Sequence, residues 1–284
     1  MLECVPNVSE GRDVRVLDAL ADACGVSLLD RHADPDHHRS VFTLAGPGPD
    51  GATDAARALA RAVADHCDLR AQSGVHPRFG ALDVVPFVAL TGDPDTAAAA
   101  AGGFAEWIAD ELGVPVFLYD RADPEGRSLP DARRTAFTGR APDHGPARAH
   151  PSLGAVAVGA RPPLVAVNCW LDVADPTLAR RVAREVRERD GGLPGLRALG
   201  LALPGAGASQ VSMNVVDLER CGVDDACEAV RERVEAAGRS VTRVELVGLM
   251  PASAYARCRA DFVARVGWSR DVTVEARLAD RAIG

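Results

Sequence analysis

The sequence predicts an α/β (α+β) protein made of two subdomains, each a β-sheet layered with helices. Short apolar runs bounded by Gly, Pro or Asp alternate with stretches of helical periodicity, which is the pattern of mixed folds. Many strand-like runs alternate apolar and polar residues, which favours layered sheets over a doubly wound sheet. Of the 284 residues, 47% are apolar, enough to bury one large core or two of ordinary size.

The first half alternates strands and helices. Its strand segments are short and rich in β-branched or large apolar residues, at 2–5, 26–31, 40–45, 84–90 and 114–119. Its helical segments place apolar residues on one face, at 14–21, 56–63 and 104–112. We therefore expect one layered α/β subdomain here.

The alternation resumes in the second half. Asp175 and Pro176 form a helix start, an N-cap residue followed by proline at the first helical position, and the glycine pair at 191–192 ends that helix. Further helices are predicted at 223–238 and 251–266, and strands at 164–169, 210–216, 241–247 and 272–275. The expected subdomains are residues 1–160 and 161–284.

A polar connector, residues 120–153, precedes the second half. It is rich in Pro, Gly, Arg and Asp, and only 132–137 is predicted to be helical. A connection this long is usually either disordered or functional. We favour function because His144 and His150 lie among prolines that restrict the backbone.

Composition and charge argue against several classes of protein. The formal charge of −8 disfavours a nucleic-acid partner, no apolar run suits a membrane span, and no secretory signal is visible. The seven cysteines form no CxxC pair, so we expect reduced core cysteines in a cytoplasmic protein. All 32 basic residues are arginine, whose planar fork suits carboxylates.

The clearest candidate for chemistry is His76 in SGVHPRFGALD, residues 73–83. Proline disfavours helical geometry in the residue before it, so His76 is predicted to lie on a loop that enters the following strand. An imidazole can accept and return a proton near neutral pH. A histidine that only binds a backbone group is the alternative, but the neighbouring Arg78 and Asp83 favour a site.

The segment DRHADPDHHRSVFTLAG, residues 30–46, concentrates aspartates and histidines. A metal site, a solvated turn and a polar wall for a charged substrate are all compatible with it. The spacing fits no tight metal-ligand template. In the substrate interpretation, Arg39 binds a carboxylate while an aspartate meets a cationic group.

The segment VPNVSEGR, residues 5–12, is predicted to end the first strand and begin a helix. Asn7 or Ser9 would cap that helix, with amide groups exposed to an anion. Elsewhere the sequence contains no dinucleotide fingerprint, P-loop or G-x-S-x-G motif.

Five stretches together resemble the glutamate formiminotransferases, which include stand-alone bacterial enzymes and the front domain of the formiminotransferase-cyclodeaminases. They occur in the family's order from Glu3 to about Pro251: ECVPNVSEG, DPDHHRSVFTLAG, GVHPRFGALDVVPFVAL, PDHGP followed by HPSLGAVAVGAR, and SQVSMNVVDLE. The opening PN-S-EG motif and the HPR-containing motif are specific when they occur together.

The resemblance implies two α/β subdomains with a folate-binding tunnel at their junction, in a homodimer. It implies transfer of the formimino group from N-formimino-L-glutamate to N5 of tetrahydrofolate, which releases L-glutamate in histidine degradation. Tetrahydrofolate is then a co-substrate, and no metal is expected. The family's folate-binding stretch falls on Asp143, His144, Gly145, Pro146, Ala147, Arg148, Ala149, His150, Pro151 and Ser152.

The family's catalytic histidine falls on His76, which we expect to act as general base toward N5 and then as general acid toward the departing glutamate nitrogen. Arg39 and Arg78 are candidates for the glutamate carboxylates or the folate tail, and Arg148 for the polyglutamate tail. Asn214 would either reach the tunnel from the second half or serve only as a strand-end turn residue.

Three positions depart from the family pattern. Val75 replaces the glutamate that often precedes the catalytic histidine, His32 replaces an acidic residue of the bifunctional enzymes, and His38 replaces an asparagine. Asp34 or Asp36 could supply the acid that is missing at His32. Two alternatives stay open: a cycloligase-like enzyme that acts on 5-formyltetrahydrofolate, and a folate-binding protein without catalysis.

Overall fold

The computed structural model of the protein describes residues 1–46, 48 and 50–283. The chain forms two units, Met1–Pro162 and Pro163–Gly284. Each contains a β-sheet with helices packed on it, which confirms the predicted α/β class; the tunnel at the junction stays a prediction. None of the described helices is both long enough and apolar enough to cross a membrane.

The first unit has the strands and helices that the apolar periodicity predicts. Its strands are β1 Leu2–Cys4, β2 Asn7–Val8, β3 Leu28–Asp34, β4 Arg39–Ala45, β5 Leu82–Ala89, β6 Val116–Asp120 and β7 Val156–Ala160. Its helices are α1 Val14–Cys24, α2 Gly51–His66, α3 Pro94–Leu112 and α4 Leu129–Thr135. The short strands β2 and β7 are additions to the predicted set.

The sheet of this unit has a mixed order. The strands β1 and β2 occupy one strand position, since both pair antiparallel with β4 on one side and β5 on the other. The strand β3 lies beyond β4, whereas β7 and β6 follow β5 as parallel strands. Almost all of β5 is buried, which explains why its residues 84–89 form a continuous apolar run.

The main core of this unit lies between the sheet and helices α2 and α3. Asp93 caps α3 with proline at the first helical position, and Gly113 ends it in the left-handed region at φ 62°. Ala97, Ala101 and Ala105 lie on its buried side, next to Phe104 and Ile108. These small side chains let the helix pack closely against the sheet.

The second unit is a four-stranded antiparallel sheet with helices. Its strands are β8 Val165–Leu171, β9 Leu196–Leu203, β10 Ala208–Val215 and β11 Val241–Val247, in the order β11-β8-β10-β9. Its helices are α5 Pro176–Val186, α6 Val223–Ala236, α7 Ala252–Arg257, α8 Ala260–Val266 and α9 Val274–Ile283. Asp175 caps α5 as predicted, but the helix ends at Val186, before the glycine pair.

The helix predicted over residues 251–266 is wrong as a single element. It is divided into α7 and α8, and Arg259 between them has extended backbone geometry. The backbone N–H of Arg259 donates to Asp224 Oδ2 at 3.1 Å, on the neighbouring helix α6. This bond fixes the break, because the donor is used outside its own helix.

The strand predicted at 272–275 is also wrong. These residues lead into α9, where the Thr273 hydroxyl accepts from the backbone N–H of Ala276 at 3.3 Å. Val274 is fully buried, and its N–H donates to the carbonyl of Met250. Burial and a side-chain cap outweigh the β-propensity of the Val-Thr-Val run.

Candidate active site

The loop that carries His76 runs from a 3-10 turn to the start of β5, as its proline predicts. The loop is held against the turn that joins β3 and β4. The Arg78 guanidinium donates to the carbonyl oxygens of His37 at 2.7 Å and His38 at 3.2 Å. The position of His76 is therefore fixed by a neighbouring turn as well as by its own strand.

His76 is half-buried, and its ring is hydrogen-bonded through one nitrogen. Its Nδ1 lies 2.8 Å from the carbonyl oxygen of Pro77. Because a carbonyl oxygen only accepts, Nδ1 carries the proton and Nε2 carries the lone pair. Burial is the largest cause that lowers the pKa of His76, and the positive charges of Arg39 and Arg133 help to bring that pKa to about 3. The free ring is neutral at pH 7.

A buried carboxylate lies at the base of the loop. Asp83 is fully buried and accepts from the Arg39 guanidinium at 2.6 Å, from the Arg133 guanidinium, and from the backbone N–H of Phe79 at 2.8 Å. Burial by itself would raise the pKa of Asp83, but the two guanidinium groups and the backbone donor lower it. Asp83 is therefore an anion shared by two arginines.

A second polar cluster supports the loop from its other side. Glu10 accepts from backbone N–H groups of Gly11, Arg12 and Asp13, and from the Gln72 side chain at 3.1 Å. Burial opposes its ionisation, yet these donors lower the pKa of Glu10. The carboxylate thus fixes the start of the loop to the segment before α1.

His38 links Glu10 to the loop. Its Nδ1 lies 2.9 Å from the carbonyl oxygen of Ser73, and its Nε2 lies 3.1 Å from Glu10 Oε1. Both partners are acceptors, so the ring satisfies both only when both nitrogens carry protons. The residue has a positive φ of 49°, where asparagine is better tolerated than most side chains.

Three predicted binding residues lie in this network. Arg39 donates through Nε to Asn7 Oδ1 at 3.0 Å and through Nη1 to Asp83. Within the part of the chain that the structure describes, its Nη2 has no hydrogen-bond partner. The Arg78 guanidinium donates to carbonyl oxygens of the β3–β4 turn. Arg78 therefore holds the loop in place, whereas Arg39 has a nitrogen left for a ligand.

The helix cap predicted at Asn7 or Ser9 is wrong. Asn7 lies in β2, and the Ser9 hydroxyl donates to the carbonyl of Gly80 at 2.7 Å. Helix α1 begins only after Asp13, whose carboxylate accepts from the first helical N–H groups. The segment therefore joins β2 to the His76 loop instead of presenting a helix terminus.

The stretch Asp143–Ser152 is anchored at both ends. Asp143 accepts from the backbone N–H of Leu118 at 2.8 Å and pairs with Arg140, and the His144 carbonyl accepts from Val116. At the other end, His150 Nδ1 accepts from the backbone N–H of Leu153 at 3.1 Å, and the Ser152 carbonyl accepts from Leu69. The residues between the anchors are exposed: Gly145, Pro146, Ala147, Arg148 and Ala149.

Backbone hydrogen bonds join this stretch to the His76 loop. The N–H of Ala155 donates to the Phe79 carbonyl at 3.0 Å, and that of Ala81 donates to the Leu153 carbonyl at 2.9 Å. Gly80 and Gly154 form a β-bridge between them. The first unit thus brings the catalytic candidate and the predicted folate segment to the same end of β5.

Asn214 belongs to the second unit. Its exposed side chain lies on β10, opposite Ala166 of β8 and Arg197 of β9. It is the penultimate residue of β10, so it lies near the strand end but in the strand and not in a turn, and the tunnel interpretation stays a prediction.

The metal interpretation of residues 30–46 finds no ligand set in the structure. Over the described ranges, no group of three or more His, Cys, Asp or Glu residues is arranged to hold a metal ion. Asp34 accepts from the backbone N–H of His37 at 2.8 Å, which is ordinary turn chemistry.

Two residues of the site, Arg133 and Glu10, are not predicted from the sequence. Arg133 contacts both Asp83 and the carbonyl of Pro77, next to His76. Its local sequence, a polar helix start with several charged residues, is typical of a solvated helix. Glu10 lies inside the opening motif VPNVSEGR, but its role depends on a contact with His38 in the β3–β4 turn.

Comparison with known families and proteins agrees with this arrangement. A family model described as the formiminotransferase domain, N-terminal subdomain, matches residues 1–161, and one described as the formiminotransferase domain matches residues 166–277. The chain belongs to the formiminotransferase family. The resemblance found in its motifs is thereby confirmed.

Two formiminotransferase relatives match this chain over nearly their whole length. The glutamate formimidoyltransferase of Streptococcus pyogenes serotype M1 is 37% identical, with 89% of this chain and 90% of the relative covered. That of Thermoplasma acidophilum is 35% identical, with 89% of each covered. The formimidoyltransferase-cyclodeaminase of Sus scrofa is 36% identical over 89% of this chain but only 51% of its own length.

Proposed function

We propose that this chain is a glutamate formimidoyltransferase that moves the formimino group from N-formimino-L-glutamate to N5 of tetrahydrofolate. The products are 5-formiminotetrahydrofolate and L-glutamate. The observation that carries the proposal is the match, at 35–37% identity, to two enzymes of that name of similar length. Tetrahydrofolate is the co-substrate: a bond from N5 to the amidine carbon forms, the bond from that carbon to the glutamate nitrogen breaks, and the accompanying proton transfers occur at nitrogen.

His76 is the proton-transfer group of this proposal. Attack of N5 on the planar amidine carbon gives a tetrahedral carbon with three nitrogens; N5 must lose a proton, and the glutamate nitrogen must gain one before it leaves. With Nδ1–H bound to the Pro77 carbonyl, Nε2 carries the lone pair that accepts the first proton. The resulting imidazolium then returns it to the leaving nitrogen.

The low pKa of free His76 requires help from the substrate. An imidazole with a pKa of about 3 is a weak base at neutral pH. The donor carries two carboxylates, and the negative charge of the one bound by Arg39 would offset part of the positive charge near the ring. Donor binding at Arg39 would therefore oppose the part of the pKa depression that the arginine charges cause, while burial still lowers the pKa.

Arg39 is the proposed contact for one donor carboxylate. Its Nε and Nη1 are fixed by Asn7 and Asp83, which pre-organises the guanidinium and leaves Nη2 for the substrate. In this assignment Asn7 orients the arginine. Arg78 binds carbonyl oxygens of the β3–β4 turn and thereby shapes the site. Its positive charge would also attract the donor carboxylate.

The exposed segment Gly145–Ala149, between the anchors Asp143 and His150, is the proposed binding surface for tetrahydrofolate. Its backbone is held at both ends and its side chains are accessible. Arg148 is the proposed partner of the polyglutamate tail, since it is exposed within this segment. Asn214 is proposed as a further folate contact from β10.

The assignment of His76 is tested with purified wild type, His76→Ala and His66→Ala. A spectroscopic assay follows 5-formimino- and 5,10-methenyltetrahydrofolate with both substrates present. His76→Ala should lower kcat by about 10²–10⁴-fold, the usual contribution of one acid–base group. His66→Ala is the matched control, because His66 is exposed at the end of α2 and should keep wild-type turnover.

Other outcomes identify the alternatives. Unchanged turnover in His76→Ala removes this residue from the mechanism. Tetrahydrofolate binding without transfer in the wild type indicates a non-catalytic binding protein. Turnover of 5-formyltetrahydrofolate in place of formiminoglutamate indicates the cycloligase-like enzyme.

A homodimer in the cytoplasm is the assembly that we propose for this chain. Each protomer has a mass of 29.7 kDa. Light scattering coupled to size exclusion should therefore give twice that mass at assay concentration. A protomer mass at that concentration would contradict the dimer without affecting the proposed reaction.

A further inference from the structure

Arg133 in α4 contacts the His76 loop from outside it. Its Nη1 donates to the carbonyl oxygen of Pro77 at 3.1 Å, and its Nη2 pairs with Asp83 Oδ2. The side chain is 21% exposed, so its geometry is set mainly by protein groups.

The carbonyl of Pro77 has two donors. It accepts from His76 Nδ1 at 2.8 Å and from Arg133 Nη1 at 3.1 Å. A carbonyl oxygen has two lone pairs, so the two bonds can form together. The direction of this oxygen decides where the imidazole can place its Nδ1–H, and the guanidinium fixes that direction.

The guanidinium is itself fixed on two further sides. Asp83 is fully buried and is also held by Arg39 and by the backbone N–H of Phe79. The Phe79 ring lies 5.7 Å from the Arg133 guanidinium carbon. Arg133 thus connects a rigid, buried anion to the carbonyl that orients the reacting ring.

We propose that Arg133 is a positioning residue for formimino transfer, which holds the Pro77 carbonyl so that His76 keeps its Nδ1–H tautomer and presents Nε2 to the substrates. The inference rests on the proposed function. It assigns Arg133 no contact with either substrate. The planar fork is essential because two of its nitrogens serve two acceptors at once.

Loss of the fork should affect turnover more than binding. Arg133→Lys keeps one positive charge but cannot hold Asp83 and the Pro77 carbonyl in the same geometry. The imidazole then populates both neutral tautomers, and its Nε2 is no longer held in position to accept the proton from N5. Misplaced catalytic groups and lost orienting contacts each lower rates by roughly 10–10²-fold, and we expect a fall of that size in kcat.

The kinetic experiment compares Arg133→Lys with Arg134→Lys. Arg134 is the neighbour on the same helix and is mostly exposed. Among the residues that the structure describes, its guanidinium pairs only with Asp131, so Arg134→Lys should keep wild-type constants. For Arg133→Lys, kcat should fall about 10–10²-fold. The KM for the donor and the tetrahydrofolate Kd should stay within about threefold, since the residue touches neither substrate. A kcat equal to that of the wild type overturns the proposal.

A spectroscopic readout separates this proposal from the proposed function. Nitrogen chemical shifts of ¹⁵N-histidine-labelled protein, assigned to His76 with His76→Gln, report which ring nitrogen carries the proton. The wild type should show the Nδ1–H form at pH 7, and Arg133→Lys should show a mixture. This measurement needs neither turnover nor substrate.

Two results decide the matter even if a variant is unstable. A wild-type His76 protonated at Nε2 overturns the inference without any variant, and so does an unchanged tautomer in folded Arg133→Lys. If the wild type transfers no formimino group while the tautomer responds to Arg133→Lys, the proposed function fails but the positioning contact stands.

Discussion

His76 combines a catalytic assignment with an unusually low basicity in the free protein. Burial is the main cause, and Arg39 and Arg133 add to it, so the pKa of His76 is about 3 in the folded state. In the unfolded chain an unperturbed histidine titrates near 6.5. The folded and unfolded states therefore bind different numbers of protons between these two values.

That difference makes stability depend on pH. Because the unfolded chain gains a proton that the folded chain refuses, His76 lowers the free energy of unfolding progressively as pH falls from about 6.5 to about 3. Above about pH 6.5 the ring is neutral in both the folded and the unfolded chain, so it has no effect on the pH dependence of stability there. In His76→Gln this loss should be absent.

Urea unfolding of wild type and His76→Gln at pH 7, 5.5 and 4.5 measures the effect. The stability of the wild type relative to the variant should fall with decreasing pH, by at most about 1.4 kcal/mol per pH unit for one proton. Contributions from Asp83 and Glu10 are present in both proteins and largely cancel in the difference. Parallel pH profiles would show that the ring is not desolvated as described.

Asp83 should be the most sensitive residue of the site for stability. Asp83→Asn removes the charge between two arginines in a buried position, which leaves both guanidinium groups uncompensated. Breaking a buried pair from one side costs about 3–5 kcal/mol. Asp68→Asn is the control, since that carboxylate pairs with Arg70 at the surface and should leave the urea midpoint unchanged. Equal midpoints for wild type and Asp83→Asn would contradict the shared-anion description.

At the level of elements, the His76 loop has little steric freedom. A Cβ on Gly74 would collide with the carbonyl oxygen of His37 and with the guanidinium of Arg78. Gly74→Ala should therefore push the loop away from the β3–β4 turn. We expect kcat to fall about 10-fold or more, because the displacement moves His76 itself.

Gly103→Ala in α3 is the matched control for that substitution. A Cβ there meets nothing within 4 Å, and alanine is the better helix former. This variant should be more stable by about 0.5–1 kcal/mol in urea unfolding, with unchanged kcat. If Gly74→Ala behaves like Gly103→Ala in both measurements, the loop is not confined as described.

Some elements followed from local sequence, and others did not. Helix α5 has a capping aspartate, proline at the first position and a four-residue apolar spacing, all local signals. Strand β9 was missed because LRALGLAL is rich in helix-forming residues. Its strand form depends on pairing with β10 and on Gly200, where a Cβ would collide with the backbone of Ala179 and Arg180.

For the whole molecule, the proposed reaction predicts independence from divalent metal. In the proposed mechanism the transfer needs a base, an acid and fixed anion-binding arginines, and His76 and its neighbours are the groups proposed to supply them. Overnight dialysis against EDTA should leave kcat and both KM values unchanged. Loss of activity that zinc or magnesium restores would require a different mechanism.

The sequence by itself determined the α/β alternation of two halves, the loop position of His76 and the family, because caps, apolar periods and ordered motifs are written in consecutive residues. Only the tertiary structure decided which groups meet His76. Arg133 and Asp83 are 50 residues apart, Arg39 and Asp83 are 44 apart, and His38 and Glu10 are 28 apart. Such contacts form when β2, β4 and β5 pair and α4 packs beside them, so no local pattern carries them.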